Sequence, residues 1–211
     1  AIWDEESASA FLCRDRFGIK PLYYAQTQEG ILWGSELPTL LAAGVSSEVS
    51  LTALNQYMTL SYVPTPRTLI DSVYKLPPGA TATVTTEGVN INKYYQLSLG
   101  SANTGHSSNK VRSLLKNAVR KRLMADVPLG AFLSGGLDSS AIVGLMSQMT
   151  DQPVKTFSIG FTQQRHDESD FARDVAEQFG TDHHEFFVNL DTLDIFERLV
   201  QNMNEPLADP A

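Results

Sequence analysis

After residue 108 the apolar residues alternate between two periods, and this constrains the possible folds more than any other feature of the chain. Val111, Leu114, Leu115, Ala118 and Val119 recur at helical spacing, and Leu129–Leu133 follows as a short apolar strand. Ile142, Leu145, Met146 and Met149 mark the next helix, and Val154–Phe161 a second strand. Phe171, Ala172, Val175, Ala176 and Phe179 mark a helix that Gly180 stops. His184–Val188 reads as a third strand, and Leu193, Phe196 and Leu199 as a further helix. Helix and strand in such regular turn predict a parallel sheet with helices on its faces.

The first half has a different character. Phe11–Arg14, Leu22–Tyr24 and Ile31–Ser35 are short β-type runs separated by Gly and Pro. Ala80–Val84 and Val89–Tyr95 flank Thr85-Thr86-Glu87-Gly88, which predicts a hairpin. Two helices interrupt the strands. One spans Glu36–Ala43, with Ser35 as its expected cap and Gly44 as its stop. The other runs from near Ser50 toward Tyr62. Residues 98–108 are rich in Ser, Gly, Asn and Thr and read as a linker. The expected organisation is residues 1–97, this linker, and residues 109–211. The fold class is α/β overall, a partial antiparallel α+β region followed by a parallel α/β sheet.

Charge and composition exclude some functions. A net charge of −8 with no extended basic run makes nucleic acid and anionic membranes poor partners. The cluster Lys116 to Arg122 lies on one amphipathic helix and reads as a solvated face. No apolar run reaches the roughly 20 residues a membrane helix needs. Cys13 is the single cysteine, so no internal disulfide forms, which fits a reduced, cytoplasmic setting. Its place in an apolar strand predicts a buried, inert thiol. The chain opens on Ala1 rather than Met and is expected to be an internal fragment of a longer protein.

The stretch that carries chemistry is Leu133-Ser134-Gly135-Gly136-Leu137-Asp138-Ser139-Ser140, between an apolar strand and an amphipathic helix. Two glycines let main chain approach an anion with no Cβ in the way. A helix beginning near Ser139 presents free N–H groups and a positive dipole end. Ser134, Ser139 and Ser140 add hydroxyls. Asp138 is a poor neighbour for phosphate unless a cation joins them, and Mg²⁺ between phosphate and carboxylate resolves the conflict. The spacing is not that of a Walker A loop, and it has no lysine. A tight strand-to-helix turn with Ser and Asp as caps is the alternative. His183, His184 and Glu185 resemble a metal site at first sight, but alternation along a strand puts the two histidines on opposite faces. Asp167 and Glu168 follow the second strand, near where a substrate would lie above the carboxyl edge of the sheet, and a solvated loop explains them nearly as well.

Ser134-Gly135-Gly136-Leu137-Asp138-Ser139 resembles the pyrophosphate loop of ATP-pyrophosphatases, which cleave ATP between its α and β phosphates to adenylate a substrate. Arg14-Asp15-Arg16-Phe17-Gly18-Ile19-Lys20-Pro21-Leu22-Tyr23-Tyr24, Ser35-Glu36 and Lys75-Leu76-Pro77-Pro78-Gly79 resemble the class II glutamine amidotransferase domain of asparagine synthetases. Asp126-Val127-Pro128-Leu129-Gly130, Thr156 to Phe161, Gly180 to Glu185 and Glu205-Pro206-Leu207-Ala208-Asp209-Pro210 resemble the synthetase domain of the same family.

The resemblance implies an N-terminal-nucleophile glutaminase type region and then an adenine-nucleotide hydrolase-like sheet. It implies ATP and Mg²⁺ as cofactors and aspartate, glutamine and ATP as small-molecule substrates, with a homodimer left open. The expected ATP and pyrophosphate contacts are Leu133 to Ser140 and Ile159, with Leu133 and Ile159 beside the adenine and Asp138 on the metal. The family's amino-terminal cysteine and its second signature, Ser-Gly-x-Gly-x-Asp-Glu, do not occur in these residues, and Cys13 has no free α-amino group to replace the former. No catalytic residue is therefore assigned. A β-lactam-synthetase-type enzyme and a noncatalytic nucleotide-binding fragment are the rival readings.

Overall fold

The computed structural model describes residues 1–98, 107–161, 169–188, 200 and 203–206. The Leu193–Leu199 helix, Asp167 and Glu168, most of the linker, and Leu207 to Pro210 lie outside these residues. The chain divides into two compact units: residues 1–99 with 195–211, and residues 100–194.

The first unit carries two antiparallel sheets. Strands β1 (Ile2–Asp4), β2 (Ser9–Cys13), β6 (Ala80–Thr85) and β7 (Gly88–Lys93) form one, in the order β1-β2-β6-β7. Strands β3 (Tyr23–Thr27), β4 (Gly30–Gly34) and β5 (Val73–Lys75) form the other, in the order β4-β3-β5. The β6–β7 hairpin pairs Thr85 with Gly88, which leaves Thr86 and Glu87 at the turn, as the sequence predicts. Alternation sorts the side chains by face. Along β2, Ala10 and Leu12 are buried while Phe11 and Cys13 are exposed. Cys13 is thus on the solvent side, which corrects the expected buried thiol: the strand is one-sided, and Cys13 falls on its wet face.

Each sheet of this unit has its own core. Leu12 and Leu76 fill one, with Ala10, Ala80, Ala82 and Val84. Leu40 and Val73 anchor the other, which also takes in Tyr23, Ala25 and Leu37. Each fully buried Leu or Val contributes about 1.5–3 kcal/mol.

Helix α1 (Leu37–Ala42) begins after Glu36, and neither Glu36 nor Ser35 caps it through its side chain. The expected Ser35 cap is therefore corrected. The N–H of Leu37 donates instead to Asn204 Oδ1 at 2.8 Å, an acceptor 167 positions away. Helix α2 (Leu51–Leu60) starts after Ser50, as expected.

The second unit holds a parallel sheet in the order β10-β9-β8, formed by β8 (Gly130–Phe132), β9 (Lys155–Phe161) and β10 (Asp182–Val188). Helices α3 (Ser108–Arg122), α4 (Leu137–Ser147) and α5 (Ser169–Phe179) accompany it. Leu133 and Val143 pack with Ala172 and Ala176, while Val119, Leu145, Met146 and Val154 form a second cluster. The opposite face carries Phe132, Ile159 and Phe186, each more than half exposed.

Candidate functional site

The loop Ser134–Gly136 leaves β8 and enters α4. Leu133 N–H donates to Phe157 O at 2.8 Å, so the ladder to β9 runs one residue past the strand. The chain then turns. Gly135 has φ +77, a left-handed conformation that glycine adopts without strain. A Cβ there would lie 2.4 Å from Phe171 Cβ and 2.6 Å from Ala172 N. Gly135 is therefore fixed by the close approach of the first turn of α5, as well as by its own backbone. Gly136 is the open glycine, for a Cβ there would meet only Ser134 Oγ, at 3.4 Å.

Gly136 is also the residue from which α4 starts, and it has no side chain to cap the helix. The first helical bond runs from Ser140 N to Gly136 O at 3.0 Å. The N–H groups of Leu137, Asp138 and Ser139 precede it and have no acceptor among the described residues. The helix thus begins at Leu137, two residues before the expected start, which enlarges the set of free donors. The hydroxyls are held within the loop. Ser139 Oγ donates to Gly136 O at 3.2 Å, and Ser140 Oγ donates to the same oxygen at 2.7 Å. Ser134 Oγ and Ser139 Oγ lie 3.1 Å apart.

The Asp138 carboxylate is exposed in the first turn of α4 and has no hydrogen bond or ion pair among the described residues. It makes no capping hydrogen bond at the start of α4. A free carboxylate beside three free N–H groups suits a phosphate with a hard cation between them. Oxygen donors of this kind are what Mg²⁺ takes, with substrate phosphates completing its shell. Among the described residues no three His, Cys, Asp or Glu side chains form a self-sufficient metal cluster.

Leu133 and Ile159 do not come together. The Leu133 side chain is 1% exposed, in the core with Val143, Ala172 and Ala176. Only its main chain can border a ligand. Ile159 is 54% exposed on the other face of the sheet. The histidines part as alternation predicts. His183 Nδ1 lies 2.8 Å from Thr156 Oγ1, and its Nε2 lies 3.3 Å from Ser158 Oγ, on the buried face. His184 stacks on Phe157 with ring centroids 5.4 Å apart. Glu185 binds Arg173 of α5 at 3.0 Å, a contact that fastens helix to sheet.

Residues 110–211 match the family model described as asparagine synthase, and residues 1–95 match that of a glutamine amidotransferase domain. Over 214 residues the chain is 34% identical to asparagine synthetase [glutamine-hydrolyzing] 1 of Bacillus subtilis, an alignment that covers all of this chain and 34% of that protein. Across its whole length the chain is similar to glutamine-hydrolysing asparagine synthetases. Asparagine synthetase [glutamine-hydrolyzing] 3 of the same organism is 31% identical over 95% of this chain and 36% of its own length. Amidase chry2 of Gibberella zeae is 31% identical over 87% of this chain and 30% of its own length. The chain thus spans about a third of the length of these asparagine synthetase relatives. The loop described above falls inside the asparagine synthase match. Among the described residues no helix is long and apolar enough to cross a membrane.

Proposed function

We propose that the full-length protein is an ATP-dependent amide ligase that makes asparagine from aspartate and glutamine-derived ammonia. A carboxylate at neutral pH is a poor electrophile, so it must be activated. In this reading an oxygen of the aspartate side-chain carboxylate attacks the α-phosphorus of ATP and pyrophosphate leaves. Ammonia then attacks the acyl carbon of β-aspartyl-AMP, and AMP leaves as the amide forms. The observation that carries the reading is the start of α4, inside the region that matches asparagine synthase, where three N–H groups and Asp138 have no partner among the described residues.

Within this proposal the N–H groups of Leu137, Asp138 and Ser139 hold the departing pyrophosphate, with help from the dipole of α4. Ser139 and Ser140 turn their hydroxyls from Gly136 O, and Ser134 from Ser139 Oγ, toward phosphate oxygens. The main chain at Leu133 and the side chain of Ile159 border the nucleotide. Asp138 would hold Mg²⁺, which when bound offsets the charge that builds on pyrophosphate. The fold reading belongs to the same proposal: a glutaminase of the N-terminal-nucleophile type in residues 1–97, residues 98–108 as linker, and an adenine-nucleotide hydrolase-like sheet in 109–211. A cytoplasmic setting and a homodimer complete it.

The test is a paired measurement on Asp138→Asn in the full-length protein. Asn keeps the size of the side chain and one acceptor but loses the charge that attracts the cation. Pyrophosphate release is expected to fall by roughly 10²–10³-fold, the scale of one preorganised electrostatic group. Glutamate release from glutamine is expected to persist. Unchanged pyrophosphate release would remove Asp138 from the chemistry, and equal loss of both activities would mean misfolding.

A further inference from the structure

The first unit contains a contact that the reaction scheme does not use. Lys75, on β5, is 8% exposed, and its ammonium donates to Val63 O and to Glu205 Oε2, both at 2.7 Å. The other oxygen of Glu205 is buried with no partner among the described residues. Among the described residues Lys75 is the group that hydrogen-bonds the Glu205 carboxylate. One residue earlier, Asn204 Oδ1 accepts the N–H of Leu37, the first residue of α1. That N–H has no intrahelical acceptor, because it precedes the first helical bond. Two neighbouring side chains thus complete two groups of the first unit, the Leu37 amide and the Lys75 ammonium. They do so from the far side of residues 100–194 in the chain. Burial pushes the Glu205 carboxyl up despite the pull of Lys75, and with Glu205 nearby it raises Tyr23 to about 12.

We propose that Lys75 and Glu205, with Asn204, form a latch that fastens the chain leaving the second unit onto the first. They are positioning residues: the latch keeps glutamine hydrolysis and amide formation in step. This rests on the functional reading above. A short polar segment would otherwise stay in water. It stays docked because Lys75 would be a buried charge without Glu205, and Glu205 a buried charge without Lys75. Breaking the pair from the Lys75 side has an asymmetric result. Met in place of Lys75 leaves no orphan charge on β5, while Glu205 regains its hydration only by undocking.

The test uses the full-length protein with Lys75→Met and with Lys75→Met/Glu205→Leu, in which an apolar pair replaces the ionic one. In Lys75→Met the Leu37 amide is expected to exchange at least about tenfold faster, because it loses its acceptor through local opening. Asparagine formed per glutamate released is expected to fall by about tenfold, within the usual range of coupling between two sites. Glutamine hydrolysis and ammonia-supplied asparagine synthesis are expected to persist. The double variant is expected to restore both Leu37 protection and the ratio. Unchanged Leu37 exchange in Lys75→Met would overturn the latch. Faster exchange with an unchanged ratio would overturn its positioning role, as would a parallel loss of every activity that the double variant fails to rescue. If the unaltered protein makes no asparagine from either nitrogen source, the functional reading fails instead. Leu37 exchange still upholds or overturns the latch in that case.

Discussion

Gly135 answers to two constraints at once. Its φ of +77 disfavours any side chain, and a Cβ would press into Phe171 and Ala172 at 2.4–2.6 Å. Gly135→Ala is expected to lower stability by about 2–4 kcal/mol, from backbone strain together with overpacking. Gly136→Ala should fall well below that, since its φ is −68 and its surroundings are open. Thermal or denaturant unfolding of the two variants measures the difference, and equal losses would contradict the packing role of Gly135. The sequence named both glycines as room for an anion, and only Gly136 has that room. The other reason was illegible because it depends on where a helix 36 positions later comes to rest. The same holds for Leu133, whose place at a strand end says nothing of the core its side chain enters. The place of Asp138 beside the start of a helix was legible because a strand-to-helix turn is a local pattern.

At the scale of elements, the segment between β2 and β3 shows how one side chain can order a loop. The Asp15 carboxylate accepts the N–H of Phe17, Ile19 and Lys20 at 3.0–3.1 Å. Arg14 donates to the carbonyls of Gly18, Lys20 and Leu76. The N–H of Lys20, followed by that of Ile19, holds the Asp15 carboxyl below the ordinary aspartate value of 3.8. The sign follows from linkage. The loop gains from ionised Asp15 above pH 3.8, and the gain is lost as pH falls through the lower folded value. The Ile19 and Lys20 amide signals are therefore expected to titrate together with a midpoint below 3.8, and Asp15→Asn to abolish that step. A midpoint at or above 3.8 would contradict the bonding. The sequence marked this run by resemblance, and its physical role emerges only from the bonds. Long or strongly patterned elements were legible: α3, α4, α5, β9 and the β6–β7 hairpin all lie where periodicity puts them. Strands β1 and β5 were not read, because three residues are too few to display alternation. The cap of α1 was misread for a related reason. A local Ser is the usual acceptor at a helix start, whereas here the acceptor comes from Asn204.

For the whole molecule, the chain leaves the first unit near residue 100 and returns to it from residue 195. A change of composition marks the departure. The return has no local signature, because Asn204 and Glu205 reveal their partners only once the chain has folded. The parallel sheet, the loop that leaves β8 and the matches to two family models together support a single account. In it, residues 133–140 hold the phosphates of ATP while a carboxylate is adenylated. The most direct test supplies the full-length protein with ATP, glutamine and aspartate labelled with ¹⁸O in its side-chain carboxylate. The account predicts AMP and pyrophosphate as products, with one labelled oxygen transferred to the phosphate of AMP as asparagine forms. ADP and inorganic phosphate, or AMP without the label, would contradict it.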